Sequence, residues 1–165
     1  MVEIRPEKPA DYEAIHEVVT EAFRRPEEAE LVTKIREAGL LDLGLVAIVE
    51  GELAAHVAFS PVAVSGSPVV ATGLAPLAVH PDYQGQGIGK KLVWSGVERC
   101  RKRGIQAIFV LGDPRYYRHF GFRAAGPLGI ACNYEAPAGA FQCLELTDGV
   151  LQKVTGKAVY DFETL

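Results

Sequence analysis

Apolar residues recur along this chain with two periods, and the secondary structure is predicted to change where the period changes. From about Pro9 to Phe23 the residues Ile15, Val18, Val19, Ala22 and Phe23 fall at i, i+3, i+4, i+7 and i+8, the stripe of an amphipathic helix. Pro9 suits its first turn. A second helix is predicted from about Pro26 to Ala38, with Leu31 and Ile35 facing inward, acids in its first turn and Gly39 as its stop. Val2 to Arg5 reads as a short strand ahead of both.

The pattern then becomes that of strands. Leu43 to Val49, Leu53 to Ser65 and Val69 to His80 are apolar runs separated by turn signals at Glu50-Gly51 and Gly66-Ser67, which predicts an antiparallel meander. Gly87 to Arg103 returns to the helical period, with Ile88, Leu92, Val93, Val97 and Cys100 inward, basic residues in the last turn and Gly104 beyond. Ile105 to Leu111 reads as a buried strand, Arg115 to Phe120 as a short helix, and Leu128 to Asn133, Phe141 to Leu146 and Lys157 to Tyr160 as further strands. The order of elements is a strand, two helices, three antiparallel strands, a helix, a strand, a short helix and a group of strands.

Composition narrows the class of protein. The chain has 165 residues, 48% of them hydrophobic and 23% charged, with no repeat or low-complexity tract, so one domain spanning 1–165 with a sizeable core is expected. A net charge of −4 offers no long-range attraction to phosphate polymers or anionic lipid, and nucleic acid and membranes are not expected as partners. Met1-Val2-Glu3-Ile4-Arg5 lacks the basic start and apolar stretch of a secretion signal, which predicts a cytoplasmic protein. Cys100, Cys132 and Cys143 are odd in number and widely spaced, and His16, His56, His80 and His119 show no ligand spacing. Neither a disulfide framework nor a metal requirement is expected.

One stretch carries chemistry: Leu77-Ala78-Val79-His80-Pro81-Asp82-Tyr83-Gln84-Gly85-Gln86-Gly87-Ile88-Gly89-Lys90-Lys91, a strand running through a glycine-rich turn into a helix. Glycines let backbone approach a ligand closely, and the first amides of a helix, aligned with its dipole, favour a diphosphate. A Walker loop is excluded because Gly89-Lys90 is followed by Lys91 and not by Ser or Thr. A dinucleotide fingerprint needs GxGxxG where Gly85, Gly87 and Gly89 give GxGxG, although Asp113 after the next strand keeps that reading open. A purely structural strand-to-helix corner is the third reading.

Gln84-x-x-Gly87-x-Gly89 resembles the acetyl-CoA signature Q/R-x-x-G-x-G/A of GNAT acetyltransferases, placed as theirs is between the fourth strand and the third helix. Downstream, Tyr116-Tyr117-Arg118-His119-Phe120-Gly121-Phe122 resembles their Y-x-x-x-G-F ending. The resemblance implies an α+β fold, a mixed, mostly antiparallel sheet splayed between the fourth and fifth strands and flanked by helices on both faces. It also implies acetyl-CoA as co-substrate, with no metal. Leu77, Ala78 and Val79 would offer backbone groups to the pantetheine and thioester, and the amides of Gln84, Gly85, Gln86, Gly87, Ile88, Gly89 and Lys90 would wrap the diphosphate. Pro76, inside the fourth strand, is the sort of residue found at a bulge or on an edge strand. The chain departs from the common pattern at Gly112-Asp113-Pro114-Arg115, where many members carry an Asn, so no CoA contact from that Asn is carried over. With its longer tail it resembles a bacterial subgroup whose acceptors are undefined.

The implied activity is direct transfer of an acetyl group from acetyl-CoA to a primary amine of a small molecule or peptide. A strand amide near Val79 would steady the oxyanion and Tyr117, four residues before Gly121, would protonate the leaving thiolate, on a phenol pKa taken as about 10; the other reading of Tyr116 and Tyr117 is as packing aromatics. Glu27, Glu28 and Glu30 open the helix that lies over the acceptor site in GNAT proteins. They read either as complements of the helix dipole or, with Glu30 as the catalytic choice, as acceptor-side carboxylates. His56 and Ser60 share a strand face and read as packed residues before acceptor-site ones. His80 and His119 read as surface or capping residues, and Cys132 has no local support as a nucleophile. A homodimer is compatible with the sequence. A CoA-binding sensor without catalysis is the alternative function.

Overall fold

The first strand finds its partner across the two helices that follow it. β1 (Val2–Pro6) pairs antiparallel with β2 (Leu43–Val49), and β2 pairs antiparallel with β3 (Glu52–Val64). The β2–β3 turn places Glu50 at φ 48° and Gly51 at φ 83°, both left-handed, which matches the right-handed twist of a hairpin. The computed structural model describes residues 1–165 and gathers them into two units, Met1–Phe59 with Pro76–Glu98 and Ser60–Ala75 with Arg99–Leu165. β3 and β4 (Ala71–Val79) contribute residues to both.

In the first unit, α1 (Tyr12–Phe23) and α2 (Glu27–Glu37) pack on the sheet through Ile15, Val19, Ala29, Val32, Val46 and Ala78. Burying a branched aliphatic side chain stabilises by roughly 1.5–3 kcal/mol, so Ile15, Val19 and Val32 are the main anchors of the two helices in this cluster. The helical stripe holds for Ile15, Val18 and Val19, but Phe23 is 37% exposed, because Arg24 at φ 57° ends the helix there. In α2 the inward residues are Ala29, Val32 and Ile35, with Leu31 only partly buried. The stripe is set one position later than the leucine suggested. The long helix α3 (Ile88–Lys102), whose residues from Arg99 onward belong to the second unit, buries Ile88, Leu92, Val93, Val97 and Cys100, as its period requires.

In the second unit, the first four residues of β4 pair parallel with β5 (Ala107–Leu111), from Ala71 opposite Ala107 to Leu74 opposite Val110. α4 (Pro114–Tyr117) follows β5, and β6 (Arg123–Ala124) follows α4. β8 (Phe141–Glu145) pairs antiparallel with β5 and with β6, a two-residue strand too short to leave a signal in the sequence. β7 (Ile130–Cys132) lies parallel to β9 (Gly156–Tyr160), which joins the end of β3. The core here is Val62, Phe109, Ile130, Cys143, Leu151, Ala158 and Tyr160 with their neighbours. The mixed, mostly antiparallel α+β sheet expected from the sequence is the one observed. No helix is long and apolar enough to cross a membrane.

Candidate functional site

The glycine-rich turn forms where the sequence placed it. Pro81–Tyr83 makes one tight 3-10 turn after β4, capped by the His80 Nδ1 that accepts from the Asp82 amide at 3.1 Å. Gly85 and Gly87 then take φ of 78° and 79°, conformations that favour glycine, and α3 begins at Ile88. A Cβ at either glycine would meet nothing within 4 Å, and residues 84–87 are exposed. The amides entering α3 therefore border open space at the positive end of a helix dipole, which suits a diphosphate. The side chains of the signature do something else. Gln84 Nε2 donates to the Val79 carbonyl at 2.9 Å and ties the turn to β4, while the Ile88 side chain is 2% exposed and belongs to the core.

The preceding strand offers a donor on its free edge. The His80 amide donates to the Ala54 carbonyl in β3 at 2.9 Å, and adjacent amides in a strand point to opposite edges, so the Val79 N–H points away from β3. The parallel ladder to β5 ends at Leu74, two residues before Pro76, which is buried within the strand. Leu77, Ala78 and Val79 follow this break in pairing.

Tyr117 lies in the second unit, at the end of α4. Asp113 caps that helix by accepting from the Arg115 amide at 2.9 Å, with Pro114 in the first turn. The Tyr117 ring meets Tyr116 edge-on with centroids 5.0 Å apart, Phe122 at 5.6 Å and Phe120 at 6.3 Å. It is 9% exposed, whereas Tyr116 is only partly buried. Burial, with a smaller contribution from Tyr116, raises the Tyr117 phenol well above its ordinary pKa. Tyr117 is thus a secured proton donor at neutral pH and, in the free chain, a weaker acid than an unperturbed phenol.

The acetyltransferase (GNAT) family model matches residues 12–122, from the start of α1 through the aromatic ending after α4. The chain belongs to the GNAT acetyltransferase family. It is 41% identical over 158 residues to the uncharacterized N-acetyltransferase YhbS of Escherichia coli K12, covering 95% of each chain. The crystal structure of Escherichia coli YhbS in complex with CoA superposes with a TM-score of 0.94 at 38% identity, over 99% of this chain and 92% of that one. A GNAT acetyltransferase from Brucella melitensis in complex with acetyl-CoA gives 0.82 at 36% identity, over 97% and 96% of the two chains. The protein is an acetyltransferase of this family.

The remaining residues singled out in the GNAT chain separate clearly. Glu30 is exposed in the first turn of α2, Glu28 forms an ion pair with Arg25 at 2.6 Å, and Glu27 lies 3.7 Å from the same guanidinium. Cys132 is partly buried, its Sγ donating to the Tyr134 carbonyl at 3.6 Å. Ser60 and His56 are both fully buried, and no solvent-facing acceptor wall is built from them. His56 Nε2 lies 2.7 Å from Glu7 Oε1, and Arg36 Nε donates to Glu7 Oε2 at 2.7 Å, with the guanidinium 3.9 Å from the centre of the Tyr12 ring. Burial pushes the Glu7 carboxyl up, but the bonds from His56 and Arg36 outweigh it and hold the group below the usual carboxylate range. Glu7 is then the acceptor, so His56 carries its proton on Nε2, and burial keeps the ring neutral. Sequence reasoning did not find Glu7 or Arg36. The available signal was Arg36, seven residues after Ala29 and four after Val32 on the buried stripe of α2.

Proposed function

We propose that this enzyme transfers the acetyl group of acetyl-CoA directly to the primary amine of a small molecule or a peptide. The observation that carries the reading is the exposed turn with left-handed Gly85 and Gly87, open space on its ligand side and the unpaired start of α3 behind it. The CoA in Escherichia coli YhbS and the acetyl-CoA in the Brucella melitensis protein support the same donor. The amides from Gln84 to Lys90 hold the diphosphate, and Leu77, Ala78 and Val79 hold the pantetheine by backbone groups. The Val79 N–H, pointing away from β3, donates to the thioester oxygen as charge develops on it.

The acceptor attacks as a neutral amine, its nitrogen bonding to the acetyl carbon as the carbon–sulfur bond breaks. Tyr117 donates its phenolic proton toward the departing sulfur, and the proton lost by the amine passes to water or to Glu30. The raised pKa keeps Tyr117 protonated over the working range. An acceptor that is cationic in solution is favoured by Glu27, Glu28 and Glu30.

The test measures free thiol released from acetyl-CoA with spermidine, tyramine or a tetrapeptide with a free N-terminus, in wild type and in Tyr117→Phe. Amine-dependent release is expected, with kcat lowered about 10²-fold in the variant and CoA affinity unchanged. No release with any amine would count against the acceptor class. Full kcat in Tyr117→Phe, with chemistry shown to limit turnover, would return Tyr117 to a packing role.

A further inference from the structure

Gly112 is a glycine whose backbone does not require one. Its φ lies outside the left-handed region, yet a Cβ there would stand 2.6 Å from Tyr117 Cε2 and 3.2 Å from Cδ2. The ring of Tyr117 occupies the place of that missing side chain. Gly112 itself is held firmly. Its amide donates to the Ala140 carbonyl at 3.0 Å, and its own carbonyl accepts from Gln142 Nε2 at 3.1 Å. The same Nε2 donates to the Ala140 carbonyl at 3.2 Å.

Gln142 lies in β8 opposite Val110 and Ala124 and is 1% exposed, one of the few polar side chains buried in the protein. One buried carboxamide therefore fastens both the segment leaving β5 and the segment entering β8. A buried donor left without partners is costly, so the two carbonyls fix its position as firmly as it fixes theirs.

We propose that Gln142 and Gly112 are positioning residues for the acetyl transfer: Gln142 anchors the Gly112 backbone, and that backbone fixes the Tyr117 phenol where it meets the leaving sulfur. The proposal rests on Tyr117 as the acid. On the neighbouring aromatic side Phe122 and Tyr116 limit the tilt of the ring, so Gly112 sets the remaining degree of freedom. Substrate never touches Gln142. Its influence reaches the reaction through Gly112 and the ring.

The experiment uses the full chain labelled with 13Cζ-tyrosine, the Tyr117 signal being assigned by its loss in Tyr117→Phe. Gly112→Ala and Gln142→Met are compared with wild type, with and without CoA, and thiol release from acetyl-CoA is followed with the three amines named above. Both variants should shift the Tyr117 signal, lower kcat about tenfold or more and leave the KM for acetyl-CoA unchanged, since displacement of a reacting group by a fraction of an ångström is costly. In a Tyr117→Phe background Gly112→Ala should add less than twofold. Should Gln142→Met fail to fold, Gly112→Ala carries the test alone. An unmoved Tyr117 signal in Gly112→Ala, or a loss of kcat that persists at full size in the Tyr117→Phe background, would overturn the positioning role and leave the acid reading intact. Full kcat in Tyr117→Phe would overturn the acid reading, and the positioning role with it.

Discussion

Gly87 and Gly112 are glycines for opposite reasons. At Gly87 the backbone takes φ 79° and the space where a side chain would stand is empty. At Gly112 the backbone is ordinary and that space is filled by an aromatic ring. The first kind leaves room for something that arrives, and the second makes room for something already in place. Gly44, Gly73 and Gly96 belong with Gly112: a Cβ on each would overlap the Glu7 carboxylate, the Tyr160 ring and the Phe59 ring respectively. Substitutions at the turn should therefore be felt in ligand affinity, and substitutions at the packed glycines in stability or geometry.

The largest expected effect is Gly44→Ala. It displaces Glu7 from Arg36 and His56, and breaking a buried ion pair costs about 3–5 kcal/mol, which for a chain of this size lowers Tm by roughly 10 °C. A thermal scan showing a change below about 2 °C would mean that the Glu7 carboxylate moves aside freely. Gly87→Val should weaken CoA binding by roughly ten- to a hundredfold, combining about 1–2 kcal/mol of left-handed strain with intrusion on the diphosphate. Calorimetry with undiminished CoA affinity would remove the turn from the site. Gly96→Ala should lower Tm with CoA affinity kept. Overpacking against Phe59 costs about 1–3 kcal/mol, and the better helix propensity of alanine returns about 1 kcal/mol. A stabilised Gly96→Ala protein would remove Gly96 from the packed kind.

The buried network beside Gly44 also gives the stability a pH dependence. His56 has a folded pKa below its unfolded value of about 6.5, so the unfolded chain takes up the proton first and stability, complete above that pH, falls as pH drops below it. Glu7 is held below its unfolded value of about 4.3, so its contribution is present above that pH and is lost as pH falls through the folded pKa. Denaturant midpoints from pH 7.5 to 5 should decline in wild type and flatten in His56→Gln; equal slopes would exclude His56 as the source. The smallest effect is expected from neutralising Glu27, Glu28 and Glu30 together, with a rise of about two- to threefold in the KM of a cationic amine at low salt. No change would make them surface residues that serve the helix dipole.

Much of this was legible in the chain because it is local. Helical and strand periods placed α1, α3 and the β2–β3–β4 meander to within a few residues, and the spacing of Gln84, Gly87 and Gly89 marked the turn, since left-handed glycines and a helix start are properties of consecutive residues. The two-residue β6 escaped because a strand that short has no period, and Phe23 was misplaced because the helix end exposes it.

Consecutive residues alone specified the α+β order, the glycine-rich turn and the aromatic ending that carries Tyr117. The folded chain adds that Glu7, Arg36 and His56 form one buried network, that Gln84 ties the turn to Val79, and that Gly112 is the seat of the Tyr117 ring. Periodicity reports which face of an element is buried, but a contact between Glu7 and His56, or between Gln142 and Gly112, depends on which strands and loops come together. Side-chain chemistry at such separations has no spacing rule to reveal it.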